Sequence, residues 1–336
     1  MTYKEVKIWL KVLALVLAAP IFNSCSKPSD ALVGNWVQLS ELDGLPRGEA
    51  VGFAIGNKGY VGTGFDGTDR LSDFWEYDAT KNTWSQKADF PGVARNLAAG
   101  FATDTKGYIG TGWDGKNRLN DFYEYDPTSN TWTRKADFAG QERRAAIAIC
   151  INNKGYLGTG DNVSYLKDWW EYDPSTDIWT QKTSMGGNKR AYAACFVVSG
   201  KCYLVTGVEN GAWPSDLWEY TPGTDSWAKK RSISNTSTET YDDKYTGIVG
   251  QGKVGFAVNG KGYLATGGQT TGTDVWEYNP GTDLWTQKSA FEGSTRTSAV
   301  GFTIGNRGYV TTGRSAGNYF DDIWAFDPDA AQNTND

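Results

Sequence analysis

A seven-residue phrase recurs six times in this chain, and it constrains the fold more than any other feature. KGYVGTG begins at Lys58, KGYIGTG at Lys106, KGYLGTG at Lys154, KCYLVTG at Lys201, KGYLATG at Lys261 and RGYVTTG at Arg307. The steps are 48, 48, 47, 60 and 46 residues. About fifteen residues into each unit comes a second phrase: DFWEYD at Asp73, DFYEYD at Asp121, DWWEYD at Asp168, DLWEYT at Asp216, DVWEYN at Asp274 and DIWAFD at Asp322. A turn follows, then a tryptophan strand at Trp84, Trp132, Trp179, Trp227 and Trp285. Ahead of each KGY strand lies a short apolar run such as AVGFAIG or AYAACFVV. Each unit therefore predicts four short strands, the first an inner strand buried on both faces.

A four-stranded repeat of about 50 residues has the dimensions of one propeller blade. EYDPTSNTW and the aromatic strand ending in glycine resemble the kelch signature. The resemblance covers residues 33–328 and implies an all-β, six-bladed β-propeller. The usual Gly-Gly pair is Thr-Gly in five units, with Thr-Gly-Gly at Thr266. The sixth unit lacks its tryptophan strand, and a spare one stands near the N-terminus, where Trp36 precedes Lys58 by the usual 22 residues. The strand around Trp36 is thus expected to complete the last blade and remove the open edge.

Residues 1–24 read as an export signal: a basic head, then the apolar stretch VLALVLAAPIF, too short for the roughly 20 residues of a comfortable membrane span. The small residue before Cys25 resembles a lipoprotein signal, of the loose kind found in Bacteroidota surface lipoproteins. That resemblance implies diacylation of Cys25, with residues 25–32 as lipidated cysteine and tether, residues 329–336 as a C-terminal tail, and the outer membrane as the site, facing periplasm or cell surface. A plain signal peptide or an uncleaved anchor is the alternative. Cys150, Cys195 and Cys202 read as buried thiols in strands, with at most one bridge among them.

The formal charge of −6 and the lack of a basic run argue against a nucleic-acid partner. The chain has no histidine, which removes the commonest general base and metal ligand. Galactose oxidase, a kelch enzyme, holds copper on histidines and tyrosines, so that site cannot exist here. No cofactor or metal is expected. DGTD at Asp66 and DGKN at Asp114 read as Asp-Gly turns, because the full spacing of a calcium loop is absent.

The repeat assigns most tryptophans to the scaffold, and function is sought in departures from it. Trp113 and Trp213 fall outside the pattern, in loops between second and third strands that also carry Asp66, Asp114, Asp161, Glu209, Asn210 and Tyr319. Phe65 is the counterpart of Trp113 one blade earlier. In an antiparallel meander those loops share a face with the connections between blades. Arginine recurs on that face, 11 residues before the KGY position, at Arg47, Arg95, Arg143, Arg190 and Arg296; the fifth blade has Gly250, with Lys253 nearby. Two readings stand side by side: a positive ring that binds carboxylates, or scaffold arginines paired to loop carboxylates. The 60-residue step places an insertion in the fifth blade on the same face, with Glu239, Tyr241, Asp242, Asp243 and Tyr245 as candidate contacts.

Arg47, Arg95, Arg143, Arg190, Arg296, Trp113, Trp213, Asp66, Asp114, Glu209 and Tyr241 are therefore the candidate ligand-binding residues. The expected function is non-catalytic binding of a glycan, peptide or envelope protein by this face. The alternative is a sugar mutarotase, because bacterial sialic-acid mutarotases are also exported six-bladed kelch proteins. Oligomeric state is not readable from the sequence.

Overall fold

Six four-stranded antiparallel sheets make up the chain from Leu32 onward. The structure, a computed structural model, describes residues 32–233, 245, 247–268 and 272–335. The proposed signal, Cys25, Glu239, Tyr241, Asp242 and Asp243 lie outside these residues.

The first blade consists of Val51–Ile55, Lys58–Gly62, Phe74–Asp78 and Thr83–Gln86, hydrogen-bonded in that order. The next four blades repeat it. Local chemistry fixes the turns. Asn259 and Gly260 both take positive φ, 50° and 75°, which suits the two-residue hairpin joining first and second strands. Between third and fourth strands, the Asp78 carboxylate accepts the N–H groups of Thr80 and Lys81, and Asn82 takes the left-handed position at φ 53°.

The inner strands depart from expectation. Burial alternates along them instead of covering both faces. The six inner strands converge on an axis, and one side of each lines a channel of about 540 Å³. Small side chains such as Ala50, Gly52, Ala98 and Gly100 line it, and the alternate residues pack between blades.

The glycine of KGY owes its recurrence to that packing. A Cβ on Gly107 would lie 2.3 Å from the Phe53 ring of the previous blade, and one on Gly262 would lie 2.0 Å from Phe196. The fourth blade has Cys202 at this position, and the third blade has Ile149 where the others carry Phe or its equivalent ring. The smaller neighbour makes room for the sulfur, so Cys202 is a packing residue. All three described cysteines are free thiols.

Closure follows the repeat count. Val33–Gln38 pairs with the final strand Ile323–Ala331, with Trp36 opposite Phe326. Trp36 is fully buried and meets Phe291 edge-on at 4.9 Å. The last sheet therefore joins the two ends of the propeller.

Candidate functional site

The five recurrent arginines settle into the scaffold arrangement. Arg47, Arg95, Arg143, Arg190 and Arg296 are all fully buried. Arg95 is representative: Nε donates to the Val93 carbonyl, Nη1 to the Thr111 carbonyl and to Asp121 at 2.5 Å, and Nη2 to Asp121 at 2.6 Å. Four of the five guanidinium donors are thus occupied. Arg47, Arg143 and Arg296 clasp Asp73, Asp168 and Asp322 in the same way, and Arg190 holds Asp216 through one bond of 2.7 Å. The positive ring is therefore not available: a guanidinium closed on its own aspartate has no open fork for a ligand. The third-strand Trp75, Trp170, Trp218 and Trp324 donate their indole N–H to the same aspartates.

Burial raises the Asp73 and Asp168 carboxyls, but the bonds and charge of Arg47 and Arg143 outweigh it and hold both below the usual range. The repeated Glu76 behaves alike: burial opposes it, and Tyr60, Lys87 and Lys58 bring it below normal. These carboxylates are ion-pair partners within blades, not acid/base pairs.

Two residues beyond each clasp position, the chain does something unusual. Glu49, Leu97, Ala145, Tyr192, Gly252 and Ser298 all take positive φ, between 53° and 63°. Leucine and tyrosine are rare there, since the left-handed region crowds Cβ. Hydrogen bonding between blades holds them. The Leu97 N–H donates to Glu49 O, Ala145 to Leu97, Tyr192 to Ala145, Gly252 to Tyr192, Ser298 to Gly252 and Glu49 to Ser298, at 2.9–3.2 Å. Six backbone bonds thus form a closed circle at one end of the channel. Its members line a depression of about 150 Å³, together with Lys253.

Around this circle lie the charged side chains that vary from blade to blade. Arg314 pairs with Glu49 at 3.0 Å, and Asn96 donates to the same carboxylate. Arg70 donates to Asn96 at 2.9 Å. Farther round, Asp161 accepts from Arg118 at 3.0 Å and from Arg144 at 3.1 Å. Both guanidiniums face the Trp113 ring, at 5.5 Å and 4.9 Å from its centre. Arg144 makes no other side-chain bond to a described residue, so its terminal amino groups are open. Burial raises the Tyr192 phenol, against the pull of Arg144 and with support from Glu49 and Asp161.

The other sequence candidates divide. Trp113 joins the mouth cluster, half-buried beneath its arginines. Trp213 stands 38% exposed in the fourth blade. Asp66 and Asp114 accept the backbone N–H groups of their own turns, as Asp-Gly turns should. Glu209 sits in a short turn, its backbone paired with Ala212. Tyr245 is core: 8% exposed, edge-on to Trp276, its hydroxyl donating to Trp285 O at 2.8 Å. Asp161 and Tyr319 belong to the mouth, the latter edge-on to Phe65 at 6.0 Å.

Sequence reasoning missed Glu49, Asn96, Arg144, Tyr192 and Arg314. For all of these but Arg314 the signal was present. Two columns after the clasp arginine read Gly48/Asn96/Arg144/Ala191/Gln251/Thr297 and Glu49/Leu97/Ala145/Tyr192/Gly252/Ser298. Such variable columns between constant neighbours mark the positions where the repeat is not held by packing.

Comparisons with known proteins agree with this architecture. The KLHDC2/KLHL20/DRC7 kelch-repeats domain matches residues 45–191. The solved structure of YjhT aligns with a TM-score of 0.72 at 19% sequence identity, covering 85% of this chain and 95% of that one. No curated protein matches in sequence. The six four-stranded blades and the match to that solved structure make the chain a six-bladed β-propeller, and its residues 45–191 are similar to a kelch-repeats domain.

Proposed function

We propose that the mouth described above binds a carboxylated saccharide. The carrying observation is Arg144, whose open amino groups lie beside the half-buried Trp113 ring. An aromatic face offers a surface to the C–H side of a sugar, and a guanidinium fork suits a carboxylate. Arg70, Arg118, Arg144, Arg314 and Lys253 outnumber Glu49, Asp161 and Asp114, the last of which acts on Arg70, on a chain whose formal charge is −6. The depression of about 150 Å³ is smaller than the ~300–1,000 Å³ of pockets that enclose a whole ligand. It suits one group of the ligand, with the sugar ring lying outside on Trp113.

Calorimetric titration of glucuronate and N-acetylneuraminate against glucose tests this. The acids should bind and glucose should not. A peptide or envelope protein that bound while no acidic sugar did would replace this reading.

A second reading draws on Glu49 and Tyr192, which line the same depression. They could move the protons of sugar-ring opening, the mutarotase chemistry implied by the sequence resemblance. Faster anomer exchange by NMR, lost in Glu49→Gln, would favour it. For localisation, we infer a lipid anchor at Cys25, and a mass spectrum of the envelope form without diacylglyceryl there would overturn it.

A further inference from the structure

The fifth blade solves the clasp problem differently from the other five. Gly250 stands at its arginine position. The cation comes instead from Lys253, at a position held by alanine in the other blades, such as Ala50 and Ala98. Its Nζ donates to the Thr266 carbonyl at 3.0 Å. In the first blade the corresponding Thr63 carbonyl receives Arg47 Nη1 at 3.1 Å. The second half of the clasp is absent: no ion pair joins Lys253 to Asp274, and the buried Trp276 Nε1, whose counterparts bond the clasp aspartate, has no hydrogen-bond partner among the described residues.

Lys253 is only 6% exposed. It lines both the channel and the mouth depression, and among the described residues it is the one charged side chain along the channel wall. An ammonium has three donors, of which one is used here. A buried cation with no carboxylate in contact is unfavourable, and the binding of an anion relieves it.

We propose that Lys253 is an anion-binding group at the floor of the mouth, taking the carboxylate of a ligand that enters through the circle of left-handed residues. This rests on the mouth being the ligand site and names the atom that receives the acid. Asp274 of the fifth blade acts on the amine, and Glu49 and Tyr192 line the same depression from the first and fourth blades. Burial brings the amine down to about 8, with Asp274 pulling weakly the other way. A carboxylate arriving near pH 8 therefore captures a proton along with itself. A guanidinium in general keeps its proton far above this range, so a carboxylate held by guanidinium groups alone binds without proton uptake.

Acetate, which does not titrate near neutrality, is the probe. The whole chain is titrated calorimetrically at pH 8 in two buffers of different ionisation heat, then at pH 7.5 and 9.5. The expected result is net proton uptake, with affinity more than tenfold lower at pH 9.5 than at pH 7.5. Lys253→Arg should bind acetate with no such pH dependence, and Lys253→Met should lose the uptake. Because the buffer comparison uses the unaltered protein, it stands even if Lys253→Met folds poorly. Acetate binding with no uptake and no pH dependence overturns the assignment to Lys253, as does no acetate binding. Acidic sugars still bound in either case would leave the mouth as the ligand site.

Discussion

The guanidinium of Arg144 lies 4.9 Å from the centre of the Trp113 ring, across the boundary between the second and third blades. Neither residue belongs to the repeat, and each is held by backbone bonds to a neighbouring segment. Trp113 N–H donates to Asn96 O at 2.9 Å and Arg144 N–H to Asp161 O at 3.2 Å, so the pair sits on rigid backbone. Trp113→Ala is expected to weaken acidic-sugar binding tenfold to a hundredfold, roughly the 1.4–2.8 kcal/mol of an aromatic contact that anchors an interface. Trp213→Ala should leave affinity within about threefold. Calorimetry on both variants separates the two tryptophans that the sequence treated alike.

The clasp arginines should matter for stability and not directly for the ligand. Asp168→Ala leaves the fully buried Arg143 without its carboxylate. The expected cost is about 3–5 kcal/mol, the usual penalty for breaking a buried pair from one side. Denaturant unfolding measures it. Arg144→Ala, on a side chain 28% exposed, should cost less than about 1 kcal/mol.

Acid should unfold the protein in a defined window. The Asp73 and Asp168 carboxyls, despite burial, are held below their unfolded value by Arg47 and Arg143. A depressed carboxyl contributes stability that is complete above the unfolded value, near 4, and is lost as pH falls through the folded value. Unfolding followed by tryptophan fluorescence should therefore show stability falling below about pH 4. Lys253 works in the other direction. Its amine, lowered to about 8 by burial, binds protons more weakly folded than unfolded, so stability should rise with pH between about 8 and 10. Lys253→Met should flatten that rise.

Ring closure depends on one tryptophan. Trp36 is fully buried between Phe291 and Phe326. Trp36→Ala is expected to cost about 3–5 kcal/mol, as large aromatic truncations in cores do, and to expose the edge of the final strand. Proteolysis should then cut first near Val33–Gln38.

The fold was legible because the repeat carried it. KGY, D-x-W-E-Y-D and the outer tryptophan each occupy a position where another blade's atoms leave little choice, as Gly107 against Phe53 shows. The site was legible only as a face. Arg47 and its counterparts stood out because they recur, and recurrence here meant a buried ion pair. Arg144, Glu49 and Tyr192 stand one or two residues after a clasp arginine and Arg314 just after the sixth Thr-Gly, and their one mark in the sequence is that the residue changes from blade to blade. Their significance comes from the backbone circle, which recurs with the repeat but is made of contacts between blades by residues of six different types.

Carboxylated-sugar binding at the mouth is tested most directly by titrating glucuronate into the unaltered chain and into an Arg144→Ala/Arg314→Ala variant of matched thermal stability. Saturable binding to the first, reduced at least tenfold in the second, is the predicted result. Equal affinity for both, or no binding to the unaltered chain by any acidic sugar, would contradict it.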